Sequence, residues 1–329
     1  MLKNKRILFN AVGLVAAIFG LFAISSPVSA FSVSPMKQKV VLTPGDSYTG
    51  EVTTVAAADD YKSTFHYRAS IVPLTVDDNN NGYMAVYDQT NKYTDIVNWV
   101  TLSNGSDTVR YGDSINGAIE PGYASDLTYH LTIPDDAKGG GHYFAIQIKS
   151  VPAPGEKIED NSIGIIDEMS ILSVVYVEIS GDVKVSGAIR NNEMPGFLLG
   201  QPITASFSAE NNGNTHSDVT YFLQVFPLFS SEEIYTNEEK PEVVTVLPET
   251  TRYVSEKWDS TPVVGIFKVR QTVYYDSLDN EPSVTEKIVI VCPIWLIFVV
   301  LFVIFALIFY FVAKAKARKK AAKRTEKTA

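Results

Sequence analysis

The chain has 329 residues, of which 46% are hydrophobic and 20% charged, so it is neither collagen-like nor disordered in composition, and its length suggests about two domains. One Cys excludes an intramolecular disulfide framework and a multi-cysteine metal site, and four His offer little material for a metal enzyme. Of the 28 cations, three lie in residues 1–30 and eight in residues 314–329, so residues 31–313 hold 17 cations and 36 acids, a net charge of −19. This acidic body argues against nucleic-acid binding, which needs a basic surface.

The N-terminus is typical of a secretory signal peptide. A basic start precedes an apolar run, 7–24, and the small residues Val28, Ser29 and Ala30 follow. We predict a signal peptide over residues 1–30 that is cleaved after Ala30. The alternative is an uncleaved anchor, because the apolar run approaches the roughly 20 residues that span a bilayer.

A second apolar run, 288–313, contains no charged residue. As a helix its last 20 residues would cover about 30 Å, the thickness of the hydrocarbon core, so we predict a transmembrane helix over 288–313. The basic tail, 314–329, then lies in the cytoplasm and the acidic body outside, a single-pass protein of the cell membrane. The alternative to the membrane helix is a buried core helix. The tail serves either as a stop-transfer signal or as a contact for anionic lipid headgroups.

Between the apolar runs, hydrophobic residues alternate with polar ones, as in strands that bury one face. The alternating apolar residues are Phe65, Tyr67, Ala69 and Ile71; Leu127, Tyr129, Leu131 and Ile133; and Ile203, Ala205, Phe207 and Ala209. Turn residues separate these segments every 8–15 residues, which is about the spacing seen in β-sandwiches. The sequence therefore predicts an all-β fold of two Ig-like antiparallel β-sandwich domains, 31–181 and 182–287, followed by one transmembrane α-helix.

One segment, 77–88, matches the pattern D-x-[DN]-x-[DN]-G with an acid at its twelfth position, as in calcium loops. The candidate ligands are Asp77, Asn79, Asn81, the carbonyl of Tyr83, and Asp88. An Asn-Gly hairpin turn explains the same residues without a metal. Calcium is the one cofactor that the sequence suggests, and both interpretations stay open.

The sequence offers no motif for catalysis. It contains neither G-x-S-x-G nor H-E-x-x-H, and no spacing singles out a carboxylate pair among its acids. Cys292 borders the membrane, and we expect it to pack at the interface. His142 alternates with apolar residues, which favours a buried, hydrogen-bonded histidine over a ligand. We predict no catalytic residues and no enzymatic activity.

Aromatic residues give a weaker hint of ligand binding. We expect Trp99 and Trp258 to lie in the sandwich cores. Tyr111 and Tyr123 lie beside glycine-containing turns, where a ring can stack on a sugar; ordinary exposed tyrosines are the alternative.

Several short motifs resemble those of the bacterial WxL-interacting surface proteins and related twin-sandwich surface proteins. The first group is Phe31–Pro35, Leu42–Gly45, Leu131–Lys138 and Gly139–Tyr143. The second group is Glu210–His216, Leu247–Arg252 and Trp258. The resemblance implies two Ig-like domains, one C-terminal membrane helix and a basic cytoplasmic tail. It also implies binding to peptidoglycan and to partner surface proteins.

We therefore expect a membrane-anchored cell-surface protein whose ectodomain contacts cell-wall peptidoglycan or a partner surface protein through loops and strand edges of its distal domain. Two other classes remain open. The chain is alternatively a subunit of a membrane protein assembly held through its transmembrane helix, or a surface hydrolase.

Overall fold

A computed structural model describes residues 31–57, 63–76, 83–85, 90–155, 169–276, 278 and 281–326. Its internal contacts divide the chain into two compact units, one formed mainly by residues up to Ile179 and the other mainly by residues from Ser180 onward. Each unit is an Ig-like antiparallel β-sandwich. The predicted signal peptide, 1–30, lies outside the described residues.

The first unit contains two sheets of mostly antiparallel strands and one short 3-10 helix, Asp95–Trp99. One sheet has the order β1-β3-β9-β6-β7 and the other β2-β11-β10-β4-β5, with β8 also pairing with β4. The strands are β1 (Phe31–Ser34), β2 (Lys37–Leu42), β3 (Ser47–Ala56), β4 (Phe65–Val76), β5 (Tyr83–Ala85), β6 (Val100–Ser103), β7 (Thr108–Arg110), β8 (Ser114–Ile119), β9 (Ala124–Thr132), β10 (Gly140–Ser150) and β11 (Ser170–Ile179).

The predicted alternation is confirmed in the core of this unit. Leu127, Tyr129 and Leu131 on β9 are fully buried, as are the apolar residues of β4 that were expected to face inward. Glycine makes room for two of the buried rings. Gly117 pairs directly with Tyr67, and a Cβ at Gly117 would lie 2.2 Å from the ring, so only glycine fits there.

The second unit repeats the strand order of the first, except that its smaller sheet has no counterparts of β6 and β7. One sheet has the order β12-β14-β18 and the other β13-β20-β19-β15-β16, with β17 also pairing with β15. The strands are β12 (Gly187–Glu193), β13 (Phe197–Leu198), β14 (Ile203–Asn211), β15 (Ser217–Pro227), β16 (Tyr235–Thr236), β17 (Glu242–Val246), β18 (Thr250–Trp258), β19 (Gly265–Tyr275) and β20 (Ser283–Val291).

In both units the first strand is divided between the two sheets. β1 pairs antiparallel with β3, and β2 then crosses to pair parallel with β11. β12 and β13 do the same with β14 and β20. The division joins both sheets to one continuous stretch of chain, as in Ig-like sandwiches.

The core of the second unit consists of two apolar clusters with polar side chains between them. One cluster contains Leu223 and Trp258, and the other contains Phe207 and Val273. Trp258 is buried as predicted, and its ring stacks on that of Tyr235. Glu256 and Gln271 are both buried, and their strand positions lie between the residues of the two clusters.

A single helix, α1 (Ile294–Glu326), follows the second sandwich. Its part from Ile294 to Lys316 is long and apolar enough to cross a membrane, and its apolar side chains are not buried in the protein. The predicted start at residue 288 is wrong by six residues. Residues 288–291 are apolar because they complete β20, and Cys292 and Pro293 separate that strand from the helix.

Candidate functional site

The predicted calcium loop cannot be placed in the described structure. Asp77, Asn79, Asn81 and Asp88 lie outside the described residues, and Tyr83 is described only as the start of β5. Within the described residues no group of three or more His, Cys, Asp or Glu side chains is arranged to hold a metal ion. Calcium binding by the 77–88 segment stays a prediction.

His142 is a buried structural residue. Its Nδ1 lies 3.1 Å from Oδ1 of Asp95, and its ring centroid lies 5.2 Å from that of Trp99. Asp95 and Trp99 are the two ends of the 3-10 helix, so His142 fastens that helix to β10. The interaction gives His142 the hydrogen-bonded, core-edge role that its sequence position predicts. Trp99 is only partly buried but packs against the core as expected.

The outer face of β4 and β10 forms a polar groove. Strand pairing sets Arg68 opposite Lys149 and Ser70 opposite Gln147, and these four side chains line a concavity of about 260 Å³. The turn after β7 forms one wall, through residues that include Tyr111 and Asp113. We call this feature the β4–β10 groove.

A second concavity adjoins the first and extends the groove along β4. It has a volume of about 370 Å³ and shares Arg68 with the first concavity. His66, Asn116, Pro152 and Pro154 are among its lining residues. Arg68 thus lies where the two concavities meet on an open surface.

Hydrogen bonds hold the polar side chains of the groove in place. Arg68 donates from Nε to Oδ1 of Asn116 on β8, at 3.2 Å. Gln147 is 6% exposed and donates from Nε2 to Oγ of Ser170 at the start of β11, at 2.8 Å. The Oε1 atom of Gln147 is buried and accepts no hydrogen bond within the described structure. An unsatisfied buried acceptor costs about 1–3 kcal/mol, and the burial of this oxygen keeps it out of reach of a ligand in the open groove.

The charges of the groove are unusual for this chain. Arg68 and Lys149 are direct cross-strand neighbours, an arrangement that destabilises a sheet because like charges repel. Both belong to a body with a net charge of −19. Asp113 lines the same concavity, and Arg68 and Lys149 are the side chains there that can donate charge-assisted hydrogen bonds to an anion.

The two tyrosines predicted as candidates for sugar stacking lie on different surfaces of the first unit. Tyr111 is half-buried and lines the groove. Tyr123 is 65% exposed on the turn before β9 and is not among the lining residues. Sequence reasoning missed Arg68, Ser70, Gln147 and Lys149. In the sequence these residues are marked only by the polar half of a strand's alternating pattern. Every strand with one face in solvent has the same pattern, so it does not identify a site.

Comparisons with known proteins give weak similarities only. No protein-family model matches the chain, and the search of curated proteins gives no match. Among solved structures, a chain of the chaperone–tip adhesin complex of CFA/I fimbriae biogenesis is 12% identical, with a TM-score of 0.35, and the similarity covers 78% of this chain and 98% of that chain. The Escherichia coli chaperone DraB is 12% identical, with a TM-score of 0.33 and coverage of 80% and 98%. The Pseudomonas aeruginosa CupB2 chaperone is 10% identical, with a TM-score of 0.32 and coverage of 78% and 99%.

Proposed function

We propose that this chain is a membrane-anchored cell-surface binding protein that holds carboxylate-bearing cell-wall glycan in its β4–β10 groove. Peptidoglycan is such a polymer, since its sugars carry short peptides that end in carboxylates. The observation that carries the proposal is the opposed pair of Arg68 and Lys149 on a concave face of an otherwise acidic body.

The groove contains each kind of group that a glycan with attached peptides requires. Arg68 and Lys149 offer charged donors for a carboxylate. Ser70 offers a hydroxyl to a sugar, and Tyr111, which also packs against the core of this unit, lines the wall beside them. The groove is open, as binding to a long polymer demands, and the proposed role involves no catalysis.

The C-terminal helix supports an anchored arrangement. Its apolar part is followed at once by the basic residues of 314–329, and a basic flank favours the cytoplasmic side of a membrane. With that orientation both sandwiches lie outside the cell membrane, and the groove faces the compartment that contains the wall.

Co-sedimentation with protein-stripped cell-wall sacculi tests the proposal. The full chain in detergent micelles is compared with the double variant Arg68→Gln/Lys149→Gln. We expect the double variant to bind at least about tenfold more weakly, because it loses two charge-assisted hydrogen bonds. Added salt should weaken binding by the wild-type chain, since the cations lie on an open surface.

A matched control removes two cations elsewhere. Arg190→Gln/Lys257→Gln makes the same change of charge at two exposed positions of the second unit, and it should bind as the wild type does. Equal loss in both double variants, or no loss in the groove variant, would contradict the proposal. Binding to untreated envelopes but not to stripped sacculi would indicate a protein partner instead.

A further inference from the structure

We propose that the second sandwich contacts the bilayer directly, through apolar side chains on the loops at the end from which the helix starts. The inference rests on the proposed membrane anchor and adds a second lipid-binding surface to it. We call this surface the helix-side loops; its residues are Leu199, Phe229, Val263, Val264 and Ile266.

Strand register brings these loops to one end of the sandwich. Gly265, the first residue of β19, pairs with Val291, the last residue of β20. Leu198 on β13 also pairs with Val291, and Pro227 at the end of β15 pairs with Phe267. The segments that follow β13 and β15 and the segment that precedes β19 therefore lie beside the end of β20, where the chain leaves for the helix.

The side chains on these segments are apolar and exposed. Phe229 is 97% exposed and stands in a turn closed by a hydrogen bond from the Ser230 amide to the Pro227 carbonyl, at 3.1 Å. Leu199, Val263, Val264 and Ile266 are each about half exposed. Exposed large hydrophobic residues grouped at one end of a domain mark a contact surface, because water solvates them poorly.

The short connection to the helix identifies the bilayer as the partner. Only Cys292 and Pro293 lie between β20 and α1, and two residues span at most about 7 Å. The Cys292 amide also donates to the Leu198 carbonyl, at 2.9 Å, which holds the connection against β13. If α1 begins at the membrane surface, this end of the sandwich lies within reach of the interfacial layer, which apolar side chains enter to a depth of about 5–10 Å.

The charged residues of these loops indicate whether the lipid contact is electrostatic or apolar. The loops also carry Glu232, Glu233 and Asp259. Acidic residues gain nothing from anionic headgroups, so the attraction comes from the apolar side chains. Contact should therefore form on neutral lipid. Trp295, in the first turn of α1, is exposed and of the type that settles at membrane interfaces.

Spin labels measure the depth of each position in a bilayer. In a Cys292→Ser background, the full chain is labelled at Phe229→Cys, Val263→Cys, Val243→Cys or Phe302→Cys and reconstituted in phosphatidylcholine vesicles. The label's collisions with oxygen, which concentrates in lipid, are compared with its collisions with a water-soluble nickel chelate. Val243 is the matched control, because it is an apolar residue 49% exposed and pairs with Thr220, toward the opposite end of β15.

We expect the ratio of oxygen to nickel collisions to be severalfold higher at 229 and 263 than at 243, and highest at 302. Ratios at 229 and 263 equal to that at 243, with 302 deep in lipid, would overturn the inference and leave the anchor intact. A label at 302 that lies in water would overturn the anchor itself, and the inference with it. Labels at 229 and 263 shielded from both reagents would show that protein covers these loops, which also overturns the inference.

Discussion

At the residue scale, Glu256 is the most informative position of the second sandwich. Its side chain lies on the inner face of β18, where Asn237 donates from Nδ2 to Oε1 at 2.6 Å. The other carboxyl oxygen, Oε2, is buried, and the side chain of Gln271 is the buried amide next to Glu256. Burial is the main cause that raises the pKa of Glu256, because it disfavours the charged form.

The raised pKa of Glu256 determines how its contribution to the free energy of unfolding changes with pH. Between the unfolded pKa of Glu256, near 4.5, and its higher folded value, the native state binds more protons than the unfolded state does. The contribution of Glu256 to the free energy of unfolding therefore falls as the pH rises through this window, and it stays low above the folded pKa.

We predict that Glu256→Gln makes the second sandwich more stable at pH 7 and removes this pH dependence. The amide keeps an oxygen for Asn237 and supplies an N–H to the buried polar layer, a gain of about 1 kcal/mol. Urea unfolding at several pH values measures it, in a Trp99→Phe/Trp295→Phe background that leaves Trp258 as the one tryptophan and the reporter of this unit. Glu239→Gln, at an exposed position, is the control and should change nothing. A Glu256→Gln variant that is less stable at pH 7 would contradict this reasoning.

At the element scale, the turn between β14 and β15 is held by one buried side chain. Asn211 donates from Nδ2 to the carbonyls of Thr215 and Val246, at 2.8 and 2.9 Å. Its Oδ1 accepts from the Gly213 amide at 2.9 Å. These bonds satisfy two strand ends and the turn between them, so this motif, which the family resemblance singles out, has a structural role here.

We predict that Asn211→Ala lowers the free energy of unfolding of the second unit by about 3 kcal/mol, because three buried backbone groups lose their partner. Asn212→Ala is the matched control. Asn212 is exposed, and its backbone amide, which donates to the Ser186 carbonyl at 2.7 Å, is unchanged by the substitution. The control should stay within about 0.5 kcal/mol of the wild type. Denaturant unfolding followed through Trp258 measures both, and equal losses would contradict the assigned role.

The strands themselves could be predicted from the sequence, because the side-chain period of two shows which residues face a core. Ile203, Ala205 and Phe207 are buried as their alternation indicates. The pattern failed on β10, where Tyr143 and Ala145 are buried although they face away from the core between the sheets. The Tyr143 amide donates to the Tyr93 carbonyl, so the chain before the 3-10 helix covers that face. The covering segment is distant in sequence, so the alternation of apolar and polar residues within β10 does not reveal it.

The groove could not be predicted for a related reason. Arg68 and Lys149 meet because β4 and β10 are neighbours in one particular register, and a slip of β4 by one residue would turn Arg68 into the core. Alternation fixes the face of each strand, but sheet order and register depend on contacts between segments that are far apart in sequence.

The start of α1 was predicted six residues too early for a local reason. The apolar end of β20 and the apolar helix form one continuous apolar segment of the sequence, so the boundary between strand and helix does not show in composition.

At the scale of the whole molecule, charge and apolar surface are distributed along the chain in a consistent order. The sandwiches, the second of which carries exposed apolar loops at its helix end, are followed by an apolar helix and a basic tail. These regions match the layers that a membrane presents in turn: the outer aqueous phase, the apolar lipid and the anionic inner surface. The β4–β10 groove, with Arg68 and Lys149 on an acidic body, departs from this order, which is why the proposed ligand binding is placed there.

Site-directed photo-crosslinking on intact cells tests the central claim most directly. A benzophenone amino acid replaces Tyr111, which lines the groove, or Tyr123, which is exposed on a separate turn of the same sandwich. Crosslinked species are then digested with a muramidase and with a protease. We expect the probe at 111 to attach the chain to muramidase-sensitive material, and the probe at 123 to give little or none. Crosslinks from 123 alone, or from 111 only to protease-sensitive partners, would contradict glycan binding in the groove.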